Sequence, residues 1–367
     1  MPLLVVLETG DAKPWDAWCA ERGWRLLAPW AGSAERSIDA RIKILETGLA
    51  EARRDPQVDP SRVYLAGRAE AAASVFYVAS RAPDLWAAAV AVGGSARPAL
   101  DTFRVFAANT TLVPVLWLVG DDPDEAAAAK VMQDAGYNLE TRPAASATAG
   151  DVFAWLAGHR QDAFPAAIDC ETGSPLFPRC YWIEMTRFDA AERNDAIPST
   201  RIRAGSGATL DLGGFGYDRA APGPGVLVTW LPDKYAGPLK KGDRLVALGG
   251  KPLENARAFA RLMDATVEEK PVVVTVERGK QRLRLETRTV LPRREETVTA
   301  RLQARYAADT GDLEIVSRTA TAMRLTLQPP WAAARINWNG TPVERPAGPG
   351  CWLLELEKEI PKARRCP

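Results

Sequence analysis

Residues able to do chemistry are thinly spread in this sequence. One histidine, His159, serves 367 residues, and the five cysteines (Cys19, Cys170, Cys180, Cys351 and Cys366) form no Cys-x-x-Cys pair. A zinc site needs three or four nitrogen or sulfur ligands at close spacing, so no metal centre and no cofactor are expected. Cys170 with Cys180, or Cys351 with Cys366, could pair in an oxidising compartment, with free thiols the equal alternative. Arg282, Arg284, Glu286 and Arg288 alternate with Leu283, Leu285, Thr287 and Thr289, the pattern of a half-exposed strand with a solvated face. Trp331, Trp338 and Trp352 read as core anchors, with a carbohydrate platform as the alternative.

The elements that must position such groups divide the chain. Its length exceeds one ordinary core and predicts two or three domains. A net charge of +1 gives no electrostatic case for nucleic acid or an anionic membrane. No apolar run reaches the ~18 residues of a membrane span. Met1-Pro2 leads straight into an apolar core strand, so the chain is expected to be trimmed at its upstream end, an export signal being the kind of segment removed. Apolar runs at 3–7, 24–28, 63–66, 87–92 and 114–119 read as buried strands. Ile38, Ile42, Leu45, Leu49 and Ala52 form one helical stripe, and further helices are predicted near 69–82, 124–135 and 150–160. Strand–helix repetition predicts a doubly wound parallel sheet. After Pro165 the pattern turns to β, with strands expected at 181–185 and a helix near 255–265. Asn339-Gly340 marks a hairpin between apolar segments.

Asp59-Pro60-Ser61-Arg62-Val63-Tyr64-Leu65-Ala66-Gly67, then Tyr77, Ala79, Pro83-Asp84, 87–90 and Gly93-Gly94, resemble the nucleophile region of α/β-hydrolases. The likeness is to secreted esterases of the polyhydroxybutyrate-depolymerase and dienelactone-hydrolase type, and it covers roughly residues 1–165. It implies a Gly-x-Ser-x-Gly elbow, in which a serine sits on a tight strand-to-helix turn. Here the five residues are Gly67-Arg68-Ala69-Glu70-Ala71, and alanine holds the nucleophile position. Ser74 lies one helical turn beyond and reads as a helix packing residue. The resemblance puts the family acid at Asp121 or Asp122, where an ordinary loop aspartate is the equal alternative. It puts the family histidine near 144–148, which is Ala-Ala-Ser-Ala-Thr. His159 falls at the end of the following helix and reads as a surface histidine. The first-strand exit, Leu7-Glu8-Thr9-Gly10, carries an acid where an oxyanion loop needs donors. Nucleophile, base and oxyanion loop fail together, which implies a pseudoenzyme.

Gly225-Val226-Leu227-Val228 followed by Leu239-Lys240-Lys241-Gly242-Asp243-Arg244-Leu245 and Gly249-Gly250 resembles a PDZ domain of bacterial secreted proteases. The resemblance implies that Leu212-Gly213-Gly214-Phe215-Gly216 is a carboxylate-binding loop, its N–H groups forming a nest for a peptide C-terminus. A groove between the Val226 strand and the 255–265 helix is expected, with Phe259 lining it and Asn255 or Ala256 at the ligand-selecting helix start. The expected organisation is a degenerate α/β-hydrolase-like domain at 1–165, a β-rich connector at 166–209, a PDZ-like α+β domain at 210–292 and a small all-β module at 293–367. The expected function is noncatalytic binding of a peptide or protein C-terminus, in the periplasm or outside the cell. The alternatives are an active esterase or peptidase with an unrecognised nucleophile, and a carbohydrate- or polymer-binding scaffold. A PDZ fold serving only as a packing module is a further alternative.

Overall fold

The computed structural model describes residues 1–35, 37–219, 221–292 and 297–367. The chain forms two compact units: Met1–Ile202 with Thr297–Pro367, and Arg203–Glu296. The expected boundary at 293 falls outside the described residues.

Unit 1 begins with β1 (Leu3–Val6), α1 (Lys13–Arg22), β2 (Arg25–Leu27), α2 (Ile38–Ala52), β3 (Val63–Arg68) and α3 (Ala72–Arg81). There follow β4 (Ala88–Val92), the short α4 (Arg97–Leu100), β5 (Val115–Val119), α5 (Pro123–Asp134), β6 (Leu139–Pro143) and α6 (Ala149–Ala157). The six strands are parallel in the order β2-β1-β3-β4-β5-β6. The continuous apolar runs are the cause: Leu3 to Val6, Val63 to Ala66 and Ala88 to Ala91 are at most 1% exposed, as strands covered on both faces must be. Helix ends follow local chemistry. Ser37 caps α2 by accepting the Ala40 N–H, Gly23 closes α1 at φ +64°, and Thr148 and Asp151 form a reciprocal capping box on α6. The chain leaves β1 toward β2 on one side and β3 on the other, so the crevice between the carboxyl ends of β1 and β3 is the topological switch point.

The chain then runs through β7 (Ala167–Thr172), β8 (Arg179–Cys180) and β9 (Ile183–Phe188). The strand expected at 181–185 starts late, because Tyr181 takes φ +53° and Tyr181-Trp182 turn the β8–β9 hairpin. Unit 2 comprises β10 (Thr209–Leu210), β11 (Gly216–Tyr217), β12 (Val226–Trp230), β13 (Arg244–Leu248), β14 (Lys251–Pro252), α7 (Ala256–Asp264), β15 (Pro271–Arg278) and β16 (Gln281–Val290). Its antiparallel order is β10-β16-β15-β13-β12-β11, with β14 on β13. Phe259, Ala256 and Met263 of α7 share a core with Val226, Val228, Leu245 and Val274. Buried Asp243 ties the sheet: it accepts two bonds from Arg278, at 2.8 and 2.7 Å, and one from the Lys240 N–H at 2.7 Å. Burial opposes its charge, but these donors carry its pKa below the ordinary value.

Back in unit 1 come β17 (Ala300–Ala307), β18 (Asp312–Arg318), β19 (Ala320–Leu327), β20 (Arg335–Trp338), β21 (Thr341–Val343), β22 (Gly350–Glu357) and β23 (Ile360–Arg365). They build two five-stranded sheets, β21-β20-β18-β17-β7 and β23-β22-β19-β9-β8, around one shared core. The segment read as a connector therefore supplies β7, β8 and β9 to the same sheets as the C-terminal module. Sequence separation hid this pairing, since β8, β9 and the whole of unit 2 lie between β7 and β17 along the chain. Asn339 at φ +50° and Gly340 at φ +80° turn the expected hairpin. Both cysteine pairs are disulfides: Cys170–Cys180 joins β7 to β8 across the two sheets, and Cys351–Cys366 pins the C-terminal segment to β22. Cys19 remains a free, buried thiol whose pKa burial pushes up to about 12.

A buried carboxylate gathers the chain on both sides of the insertion. Glu171 on β7 is 1% exposed. It accepts bonds from the Ser199 hydroxyl at 2.5 Å, the Thr200 N–H at 2.6 Å, the Thr200 hydroxyl at 2.8 Å and the Thr299 hydroxyl. Its backbone exchanges two bonds with the Asn109 amide of the parallel-sheet layer. Beside it Arg301 grips Asp169 with two bonds, at 2.9 and 2.6 Å, and Arg201 donates to the Thr297 carbonyl at 3.0 Å.

Candidate functional site

At the switch point β3 ends on a strained turn. Ala69 takes φ +49°, in the left-handed region that costs a residue with a Cβ about 1–2 kcal/mol. The turn survives because its neighbours are cut to fit. A Cβ on Gly67 would stand 2.9 Å from the Ala71 carbonyl and from Val75, and a Cβ on Gly94 would collide with the Ala69 carbonyl. This is the backbone of a strand–elbow–helix turn, and its exposed tip is a methyl group. Nothing at Ala69 can attack a carbonyl or lose a proton.

Nearby groups are committed to structure. Glu8, just beyond β1, accepts from the Trp15 indole at 2.6 Å and from the Arg68 N–H at 3.2 Å, with Arg68 Nε 3.6 Å away. Its carboxylate thus occupies a backbone donor at the strand end. Asp122 is the N-cap of α5, accepting the Asp124 N–H at 3.0 Å. Glu125 closes the same turn on the Gly120 N–H, and burial raises its pKa. Thr148, at the end of the segment expected to hold a base, caps α6. Ser74 lies half-buried in the first turn of α3.

His159 is at the wrong end of the sheet. Its carbonyl accepts from the Tyr64 hydroxyl at 2.9 Å, near the start of β3, and Gln161 N–H bonds the Ser61 carbonyl. Five strand steps separate Tyr64 from Ala69, about 16 Å at the usual rise. The His159 Nδ1 lies 2.8 Å from the Trp155 carbonyl, which can only accept, so that nitrogen carries a proton. The structure brings Ala69, Glu8 and Asp122 to the carboxyl edge of the sheet and leaves His159 at the opposite edge.

In unit 2 the candidate residues fall into place differently from expectation. Gly213 and Gly214 take successive left-handed conformations, φ +78° and +76°. Among the described residues the N–H groups of Gly213, Gly214 and Phe215 donate to nothing. A Cβ on Gly214 would meet open space. Gly216 and Tyr217 form β11, the edge strand, whose pairing partner on one side is β12. Val226 is not a groove residue: it is fully buried on β12, inside the sheet, because β11 adds one strand outside it. Phe259 is 3% exposed under the Phe215 and Tyr217 rings, at centroid separations of 6.4 and 5.5 Å. Asn255 caps α7, its Oδ1 accepting the Ala258 N–H at 2.9 Å. Sequence reasoning missed Trp230, 58% exposed and opposite Gly216, and missed Tyr235 behind the glycine turn. The Tyr-x-Gly spacing of 235–237, closing on the glycine turn, was the available signal. Trp331, Trp338 and Trp352 are at most 4% exposed inside the sandwich and offer no stacking face.

No protein-family model matches the chain, and no curated protein matches it. Among solved structures it is similar to a thermostable esterase at 14% identity, with a TM-score of 0.32, covering 44% of this chain and 55% of that one. It is also similar to esterase PE8 at 15% identity, with a TM-score of 0.31, covering 43% of this chain and 90% of that one. The chain thus spans about half the length of the first of these esterases. Among the described residues no helix is long and apolar enough to cross a membrane.

Proposed function

We propose that the protein is a noncatalytic member of the esterase-like α/β-hydrolase class that carries a PDZ-like unit and binds the C-terminus of a peptide or protein. The observation carrying this reading is the pair of left-handed glycines, Gly213 and Gly214, whose unspent N–H groups stand beside the edge strand β11. Successive N–H donors of this kind favour a carboxylate, and a strand at the edge of a sheet favours an extended peptide. Phe215, Tyr217 and the exposed Trp230 favour an apolar last residue. The loss of catalysis rests on the methyl group at Ala69 and on Glu8. Two disulfides support an oxidising compartment, periplasmic or extracellular.

The test is a screen of the whole chain against peptides with random last four residues. Enrichment of apolar C-termini that is lost on amidation supports the reading. Equal binding of acids and amides refutes carboxylate recognition.

A further inference from the structure

We infer that Tyr235 is the positioning residue that aims the Gly213 N–H, and so sets the preference for a free carboxylate; this rests on the peptide-binding reading above. The Tyr235 hydroxyl donates to the Leu212 carbonyl at 2.5 Å and accepts the Leu239 N–H at 3.1 Å. Both bonds use the one hydroxyl, so its proton direction is set by the Leu239 donor. The Leu212–Gly213 peptide is trans, and across a trans amide the C=O and the next N–H point in opposite directions. With the Leu212 carbonyl held toward Tyr235, the Gly213 N–H must point away from it.

The surrounding residues are shaped to this contact. The Tyr235 ring lies against Gly213, where a Cβ would stand 3.1 Å from Cε2. A Cβ on Gly237 would collide with the Tyr235 hydroxyl and stand 2.5 Å from the Leu212 carbonyl. Gly237 carries no left-handed φ, so it is glycine for space alone. Leu212 is fixed on its other side by its N–H to the Leu210 carbonyl at 2.8 Å. The peptide before Leu212 and the one after it are therefore each held by one bond, which spares a bound carboxylate part of the cost of ordering the turn.

The experiment uses the full chain and fluorescein-labelled octapeptides ending in Phe, Leu or Val, each as the free acid and as the amide. Parent protein should bind at least one acid roughly tenfold better than its amide, the ratio a charge-assisted hydrogen bond supplies. Tyr235→Phe keeps the ring and removes the hydroxyl. It should bring the acid-to-amide ratio down to about twofold or less while amide binding changes little, which general loosening of the unit would not do. Gly237→Ala, which displaces the hydroxyl without touching the ring chemistry, should give the same collapsed ratio and stands in should Tyr235→Phe fold poorly. A parent protein blind to amidation overturns the peptide reading and this inference with it. A discriminating parent whose two variants discriminate equally well overturns the role of Tyr235 alone.

Discussion

Removing the Glu171 carboxylate tests whether the insertion point is held by chemistry or merely by proximity. Four donors converge on it: three hydroxyls and the Thr200 N–H. Hydroxyls can rotate, but a backbone N–H cannot. Glu171→Ala leaves that donor without its acceptor, deprives three hydroxyls of theirs and opens a hole beside β7. Each bond to a charged acceptor is worth about 1.5–3 kcal/mol, and these bonds act as one unit, so the expected loss is about 3–5 kcal/mol rather than their sum. Glu171→Gln keeps one acceptor oxygen and turns the other into a donor, for a loss of about 2 kcal/mol. Glu355→Gln, on an accessible pair with Arg364, is the control and should cost under about 0.5 kcal/mol. Urea unfolding followed by tryptophan fluorescence reports unit 1, since Trp230 is the one tryptophan of unit 2. At roughly 2–4 °C per kcal/mol the alanine variant should also melt about 10 °C early. An alanine variant with the parent's midpoint, or a glutamine variant less stable than the alanine one, would refute this reasoning.

Other outcomes are expected. Ala69→Ser should leave p-nitrophenyl acetate hydrolysis at the buffer blank, because His159, the single histidine of the sequence, stands at the opposite sheet edge from the new hydroxyl; turnover that appears with the serine would revive the esterase reading. Thiol titration of the urea-unfolded, unreduced chain should count one reactive thiol, Cys19, and three or five would break the disulfide assignment. Burial lifts the pKa of Asp84 to about 6, against the opposing pull of Arg179 Nε at 3.0 Å and of Arg53. Its folded value thus exceeds the unfolded one, so its favourable contribution is full below about pH 4 and is lost as pH rises through about 6. The stability difference between Asp84→Asn and the parent should therefore shift in the variant's favour from pH 4 to pH 7.5, and a difference independent of pH would count against it.

How much was legible depended on how local each signal was. The strands at 3–6, 63–68, 88–92 and 115–119 announced themselves because burial on both faces demands unbroken apolar runs, and α2 because one stripe of Ile42, Leu45 and Leu49 faces inward. The Ala69 turn was legible through the resemblance of 59–94 to a nucleophile region; the contacts that require glycine at 67 and 94 became visible only in the structure. The pairing of β7 with β17 was not legible, since nothing in either strand encodes a partner more than a hundred residues off. The same blindness put Val226 at a groove. An edge strand of two residues, Gly216 and Tyr217, is too short to show a period, so the next strand inward was taken for the rim. Asn255 was legible in a different way: an asparagine before a helix is first of all a cap, and the capping bond takes its Oδ1.

The arrangement around Glu171 also says how such a chain could be assembled or taken apart. Arg201 and Thr297, the last and first described residues of unit 1 to touch across the insertion, are hydrogen-bonded to one another. Unit 1 therefore breaks off and resumes at neighbouring points of its own structure. A gene encoding residues 1–202 joined to 297–367 through two or three glycines would still bring β7 beside β17, and residues 203–296 would keep every strand of their own sheet. In genetic terms unit 2 has the layout of a cassette, because the bonds that close the host around it lie in the host's own residues at 169, 171, 299 and 301.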